Sequence, residues 1–143
     1  AQLWYDWLNQ KYTEDDIIIY GRSIGTGIAS WLASQKKPRQ LLLETPYYTL
    51  AAMAKRYYPM YPAKYALRFN FESFKYLQNV KAPVVIFHGT EDSVVPYEQG
   101  LRLYESINST SKQFFTIEGG EHKNLIEFED FREALGRVLN VSD

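Results

Sequence analysis

Ser23 stands in GRSIG (21–25), directly after the run IIIY (17–20) and directly before TGIASWLAS. A serine in a G-x-S-x-G turn between a strand and a helix has its hydroxyl held above the strand end, where it can attack a carbonyl carbon. The helix that follows turns its first N–H groups and the positive end of its dipole toward the same place. The N–H of Ile24 is the expected oxyanion donor for the charge that develops on the carbonyl oxygen. A glycine-rich phosphate loop is the competing reading of the stretch. It lacks the lysine of the P-loop pattern, and GRSIGTG does not have dinucleotide-binding glycine spacing.

A serine hydroxyl needs a base at neutral pH, and the chain has only two histidines. His122 lies in EGGEHKN, a glycine-rich loop just past a strand-like run, from which a side chain can reach the strand-end surface. His88 closes the run PVVIFHG and reads as a structural residue pinned beside Gly89. The base in turn needs a carboxylate to fix its tautomer. Asp92, in GTEDSVVP, occupies the loop after one strand and lies one strand-plus-helix unit before His122; Glu91 is its nearest rival. Glu118 and Glu121 read as solvated loop charges. The order is then Ser23, Asp92, His122.

The elements that must position these groups alternate along the chain. The runs IIIY (17–20), QLLLE (40–44), PVVIFHG (83–89) and QFFTIEGG (113–120) read as strands, the first two of the kind buried on both faces. Helical stripes lie between and around them. Leu3, Trp4, Trp7 and Leu8 form one, and Ile24, Ile28, Trp31 and Leu32 a second. Tyr97, Leu101, Tyr104 and Ile107 form a third, and Leu125, Phe128, Phe131, Leu135 and Val138 a last. Alternation of this kind predicts an α/β fold, a parallel sheet flanked by helices, with ligands bound beyond the C-terminal strand ends. Gly21 and Gly25 are expected where side chains would collide in the tight turn.

The stretch 47–71 interrupts the alternation. It carries Tyr47, Tyr48, Tyr57, Tyr58, Tyr61, Tyr65, Phe69 and Phe71, with Lys55, Arg56, Lys64 and Arg68 as its charges and no acid. Pro59 and Pro62 divide it into two short helical pieces. It is a candidate cap or lid over an acyl pocket, or a contact with an anionic membrane surface; ordinary packing of a helical excursion is the alternative.

Bulk composition narrows the classes. The chain of 143 residues fits one domain, and 45% hydrophobic with 23% charged residues fits a globular one. A net charge of −1 argues against nucleic acid as the main partner. Without cysteine there is neither a disulfide nor a thiolate metal site. No apolar run is long enough to cross a bilayer. With no leader-like opening, a cytoplasmic location is the expectation.

Taken in order, YGRSIGTG, LLLETPYYTL, PVVIFHGTEDSVVP and GGEHKNL resemble the α/β-hydrolase superfamily, on the small lipase-like branch that includes protein depalmitoylases. The resemblance covers essentially the whole chain and is to the C-terminal half of that fold. It implies Ser23 as nucleophile, Asp92 as orienting acid and His122 as base, acting on an acyl ester or thioester without metal or organic cofactor. A full domain of this family runs to about eight strands, with the second oxyanion donor in its first half. The chain opens inside an amphipathic helix and is expected to be a fragment lacking that half, with impaired activity. The strand 17–20 would then be an open edge, prone to self-association or to pairing with the missing half. A non-catalytic assembly or binding module of hydrolase ancestry is the alternative function.

Overall fold

The computed structural model describes residues 1–57, 60 and 71–139. Its centre is a parallel sheet of four strands in the order β1-β2-β3-β4, with β1 Ile18–Arg22, β2 Gln40–Glu44, β3 Val84–Gly89 and β4 Lys112–Ile117. Every neighbouring pair is parallel, with Tyr20 opposite Leu42, Leu42 opposite Val85 and Val85 opposite Gln113. Helices α1 (Gln2–Leu8), α2 (Gly25–Gln35), α3 (Leu50–Tyr57), α4 (Ser73–Leu77), α5 (Tyr97–Glu105) and α6 (Glu129–Leu139) fill the connections. Short 3₁₀ turns at Glu14–Asp16 and Leu125–Glu127 lead into β1 and α6.

The two inner strands explain the architecture. Leu41, Leu42, Leu43, Val84, Val85, Ile86 and Phe87 are all buried, so both sheet faces must be covered. Each such side chain contributes roughly 1.5–3 kcal/mol when fully withdrawn from water. On one face Leu41, Leu43, Val84 and Ile86 pack with Tyr5, Leu32, Leu77 and Leu103. On the other Leu42, Val85 and Phe87 pack with Ile117, Leu125 and Phe131. Among the described residues no helix is long and apolar enough to cross a membrane.

Several faces differ from the periodicity. In α2 the buried residues are Thr26, Gly27, Ala29, Ser30, Leu32 and Ala33, whereas Ile24 and Ile28 are exposed. Small residues win this face because helix and strand approach closely: a Cβ on Gly21 would lie 2.6 Å from the Ala29 Cβ. The same test leaves open space at Gly25, so crowding does not account for that glycine. In α1 the anchor is Tyr5, while Leu3, Trp4 and Trp7 face outward. In α5 the inward residues are Gly100 and Leu103, and Leu101 is exposed.

Strand β1 is longer than the apolar run and differently buried. It continues through Gly21 to Arg22, and Tyr20 and Arg22 are exposed while Ile19 and Gly21 are buried. Among the described residues it is an edge strand, and its open side forms a groove of about 310 Å³ lined in part by Trp4, Tyr5, Leu8 and Ile28. In the aromatic insertion, 50–57 is helical, as the first of the two expected pieces. The second piece falls on 61–70, outside the described residues.

Candidate active site

Ser23 directly follows β1, with φ of +51°, in the left-handed region that a side chain normally avoids. Local bonds hold it there. The Ser23 N–H donates to the Glu44 carbonyl at 2.9 Å, and the Ser23 carbonyl accepts from Thr26 N–H at 2.9 Å and Thr26 Oγ1 at 2.6 Å. A serine kept at such a φ by its surroundings stores strain, of order 1–3 kcal/mol, at the point where chemistry would occur. Ile24 caps α2 with helical backbone angles, so its N–H belongs to the group of first-turn donors without an intrahelical acceptor.

Asp92 lies in the loop between β3 and α5, and His122 in the loop after β4. The Asp92 carboxylate is fully buried, and its Oδ1 accepts the N–H of Val94 at 2.9 Å and of Val95 at 2.7 Å. Its Oδ2 is 2.8 Å from His122 Nδ1. On the far side of the ring, His122 Nε2 is 2.8 Å from Ser23 Oγ. The tautomer follows from the partners. An ionised carboxylate only accepts, so Nδ1 carries the proton, and the Ser23 hydroxyl donates to the lone pair on Nε2. The side chain of His122 is 11% exposed, at the floor of a cleft of about 320 Å³ lined by Arg22, Ser23, His122 and Lys123.

Burial alone would push the Asp92 carboxyl up, but hydrogen bonds from His88, His122 and the Val95 N–H outweigh it and hold the carboxyl below its ordinary value. His88 has the structural place expected of it, and more. Wholly buried, it donates from Nε2 to the Val95 carbonyl at 2.8 Å, with the same nitrogen 3.5 Å from Asp92 Oδ2. It therefore braces the loop that carries Asp92. Glu91, the rival acid, is exposed. Its N–H donates to the Gly120 carbonyl, which ties the Asp92 loop to the His122 loop.

The sequence reading missed Glu44. It ends β2, is 5% exposed, and accepts from Arg22 Nε at 3.0 Å and from the Tyr20 hydroxyl. Burial pushes its carboxyl up to about 7. A lone acid closing the apolar run QLLLE was the available signal, because a charge at the end of a buried strand requires a partner. Among the described residues no group of three His, Asp or Glu side chains is placed to hold a metal ion.

Comparison with known proteins gives the wider setting. A family model described as serine aminopeptidase, S33, matches residues 67–129, which contain Asp92 and His122. A solved esterase of Pyrococcus furiosus superposes with a TM-score of 0.73 at 19% identity, over 95% of this chain and 58% of that one. In sequence and in fold the chain is thus similar to α/β-hydrolases. Among curated proteins, it is 29% identical to a lysophosphatidylserine lipase of Danio rerio, over 96% of this chain and 43% of that protein. It is 30% identical to an alpha/beta hydrolase domain-containing protein 17C of Xenopus tropicalis, over 90% of this chain and 40% of that protein. The chain thus spans less than half the length of these two relatives. The parallel sheet with flanking helices is the part of the fold that the chain shares with the solved esterase.

Proposed function

We propose that the protein containing this chain is a serine hydrolase that cleaves an acyl ester or thioester through Ser23, His122 and Asp92. His122 Nε2 takes the hydroxyl proton as Ser23 Oγ attacks the acyl carbon. Asp92 steadies the imidazolium that results, and the Ile24 N–H donates to the oxyanion. Collapse expels the alcohol or thiol, which leaves with the proton from His122. Water activated by the same nitrogen then releases the acid and restores Ser23. The reaction as written uses no metal or organic cofactor.

The observation that carries this reading is the unbroken line of two 2.8 Å contacts from Asp92 through His122 to Ser23. The aromatic stretch beginning at Tyr47 supports an acyl substrate. The aminopeptidase description of the matching family favours including an amide among the substrates tried. A fluorophosphonate probe tests the proposal: Ser23 of the full-length protein should be labelled, and Ser23→Ala should not. No labelling of a folded full-length protein would refute it and favour a binding or assembly module.

A further inference from the structure

We propose that Arg22 is a positioning residue that holds the His122 loop by its backbone carbonyl, with the buried Glu44 carboxylate as its anchor. The inference rests on the reading of His122 as the base. Arg22 is adjacent to the nucleophile in sequence and 100 residues from the carbonyl it binds: its Nη2 donates to the His122 oxygen at 3.2 Å. The same guanidinium donates from Nε to Glu44 Oε1 at 3.0 Å. Arg22 and Glu44 are register partners across β1 and β2, so the pair forms where the two strands end.

Two features separate this arrangement from a surface ion pair. The Glu44 side chain is 7% exposed, and a carboxylate withdrawn from water at a strand end is costly unless charged donors satisfy it. The planar guanidinium then has one edge committed and projects its remaining donors in a fixed direction, which an ammonium on a flexible stem would not do. What lies in that direction is the residue whose ring must sit between Ser23 and Asp92. The loop 118–122 approaches from β4, at the opposite margin of the sheet. Near its end, Arg22 ties it to the backbone that carries Ser23, while the Glu91 N–H ties it at Gly120.

The test uses the full-length protein with Arg22→Gln, Arg22→Lys and Glu44→Gln. A misplacement of about 1 Å between reacting groups costs up to ~10² in rate. Arg22→Gln should therefore slow fluorophosphonate labelling of Ser23 by about ten- to a hundred-fold at saturating probe, with probe affinity little changed. Arg22→Lys should not restore the rate, and Glu44→Gln, which still accepts from Arg22, should show a smaller loss. A purely structural ion pair would lower the melting temperature yet leave labelling of the folded protein unchanged. The second readout does not depend on activity. The proton on His122 Nδ1 is assigned by NMR from its loss in His122→Gln, and that of His88, the other histidine of the 143-residue chain, from its loss in His88→Gln. It should shift or broaden in Arg22→Gln while the His88 signal stays in place. Folded Arg22→Gln with unchanged labelling and an unchanged His122 signal overturns the inference. Wild-type protein that is not labelled, but whose His122 signal responds to Arg22→Gln, would refute hydrolase function and leave the positioning role standing. An unlabelled wild type whose His122 signal ignores Arg22→Gln would remove both.

Discussion

Gly100 lies inside α5, where replacing glycine by alanine ordinarily gains about 0.5–1 kcal/mol of helix stability. Packing opposes that gain here. A Cβ at Gly100 would sit 2.1 Å from His88 Nδ1, 3.0 Å from Cε1 and 3.1 Å from Cγ. The ring is fully buried, so either it or the helix must retreat by more than an ångström. Overpacking of this kind costs ~1–3 kcal/mol. Pulling His88 from the Val95 carbonyl leaves buried polar groups unpaired, at a further ~1–3 kcal/mol. Set against the helix gain, Gly100→Ala should destabilise by about 3 kcal/mol. For a chain of this size that lowers the melting temperature by about 10 °C. Urea and thermal unfolding followed by circular dichroism measure it directly. Because His88 braces Asp92, labelling of Ser23 should also slow in the folded variant. An unchanged or raised melting temperature would refute the reasoning, since it would mean that helix propensity outweighs the contact with the imidazole.

Asp92→Asn should keep the fold and slow Ser23 labelling by about 10³–10⁴, because a neutral amide can leave His122 in the wrong tautomer; a loss under tenfold would count against the assignment. Glu44 is pushed up to about 7 in the folded chain, so folded protein binds its proton more tightly than unfolded protein does. Its contribution is therefore favourable below the ordinary value of 4.5 and declines as pH rises from there to about 7. Glu44→Gln should flatten that slope in urea midpoints measured from pH 4.5 to 7.5, and an unaltered slope would assign it to another group. Asp92 has the opposite sign: its stabilisation is present above its ordinary value of 3.8 and is lost as pH falls below it, a loss that Asp92→Asn should abolish. The open edge of β1, with Trp4 exposed beside it, predicts that the chain by itself pairs with a second copy. Sedimentation at tens of micromolar would show a dimer, and a strict monomer would refute this.

The strands were legible because QLLLE and PVVIFHG are nearly continuous apolar runs, and a parallel sheet buries its inner strands on both faces. GRSIG was legible because the strand, turn and helix around it supply the context that a bare pattern lacks. Helix faces were harder. Periodicity weights Ile24 and Ile28 over Ala29 and Ala33, yet only the small residues allow α2 to approach Gly21. In α1, Trp4 outranks Tyr5 on apolar character. Tyr5 is nonetheless the residue buried, its hydroxyl donating to Glu14. Arg22 and Glu44 were missed for a different reason. They are 22 residues apart in sequence, and their pairing depends on a strand register that no local pattern encodes.

Ser23 follows one marginal strand and His122 the other, with β2 and β3 between them. At ~4.8 Å per strand, the two margins are about 14 Å apart, so a contact of 2.8 Å at the rim is a clasp across the full width of the sheet. Its closure depends on cumulative twist. A small change in angle at each ladder would spare every backbone bond yet add up across the sheet and part the clasp. Loss of reactivity on warming should thus precede any spectroscopic sign of unfolding.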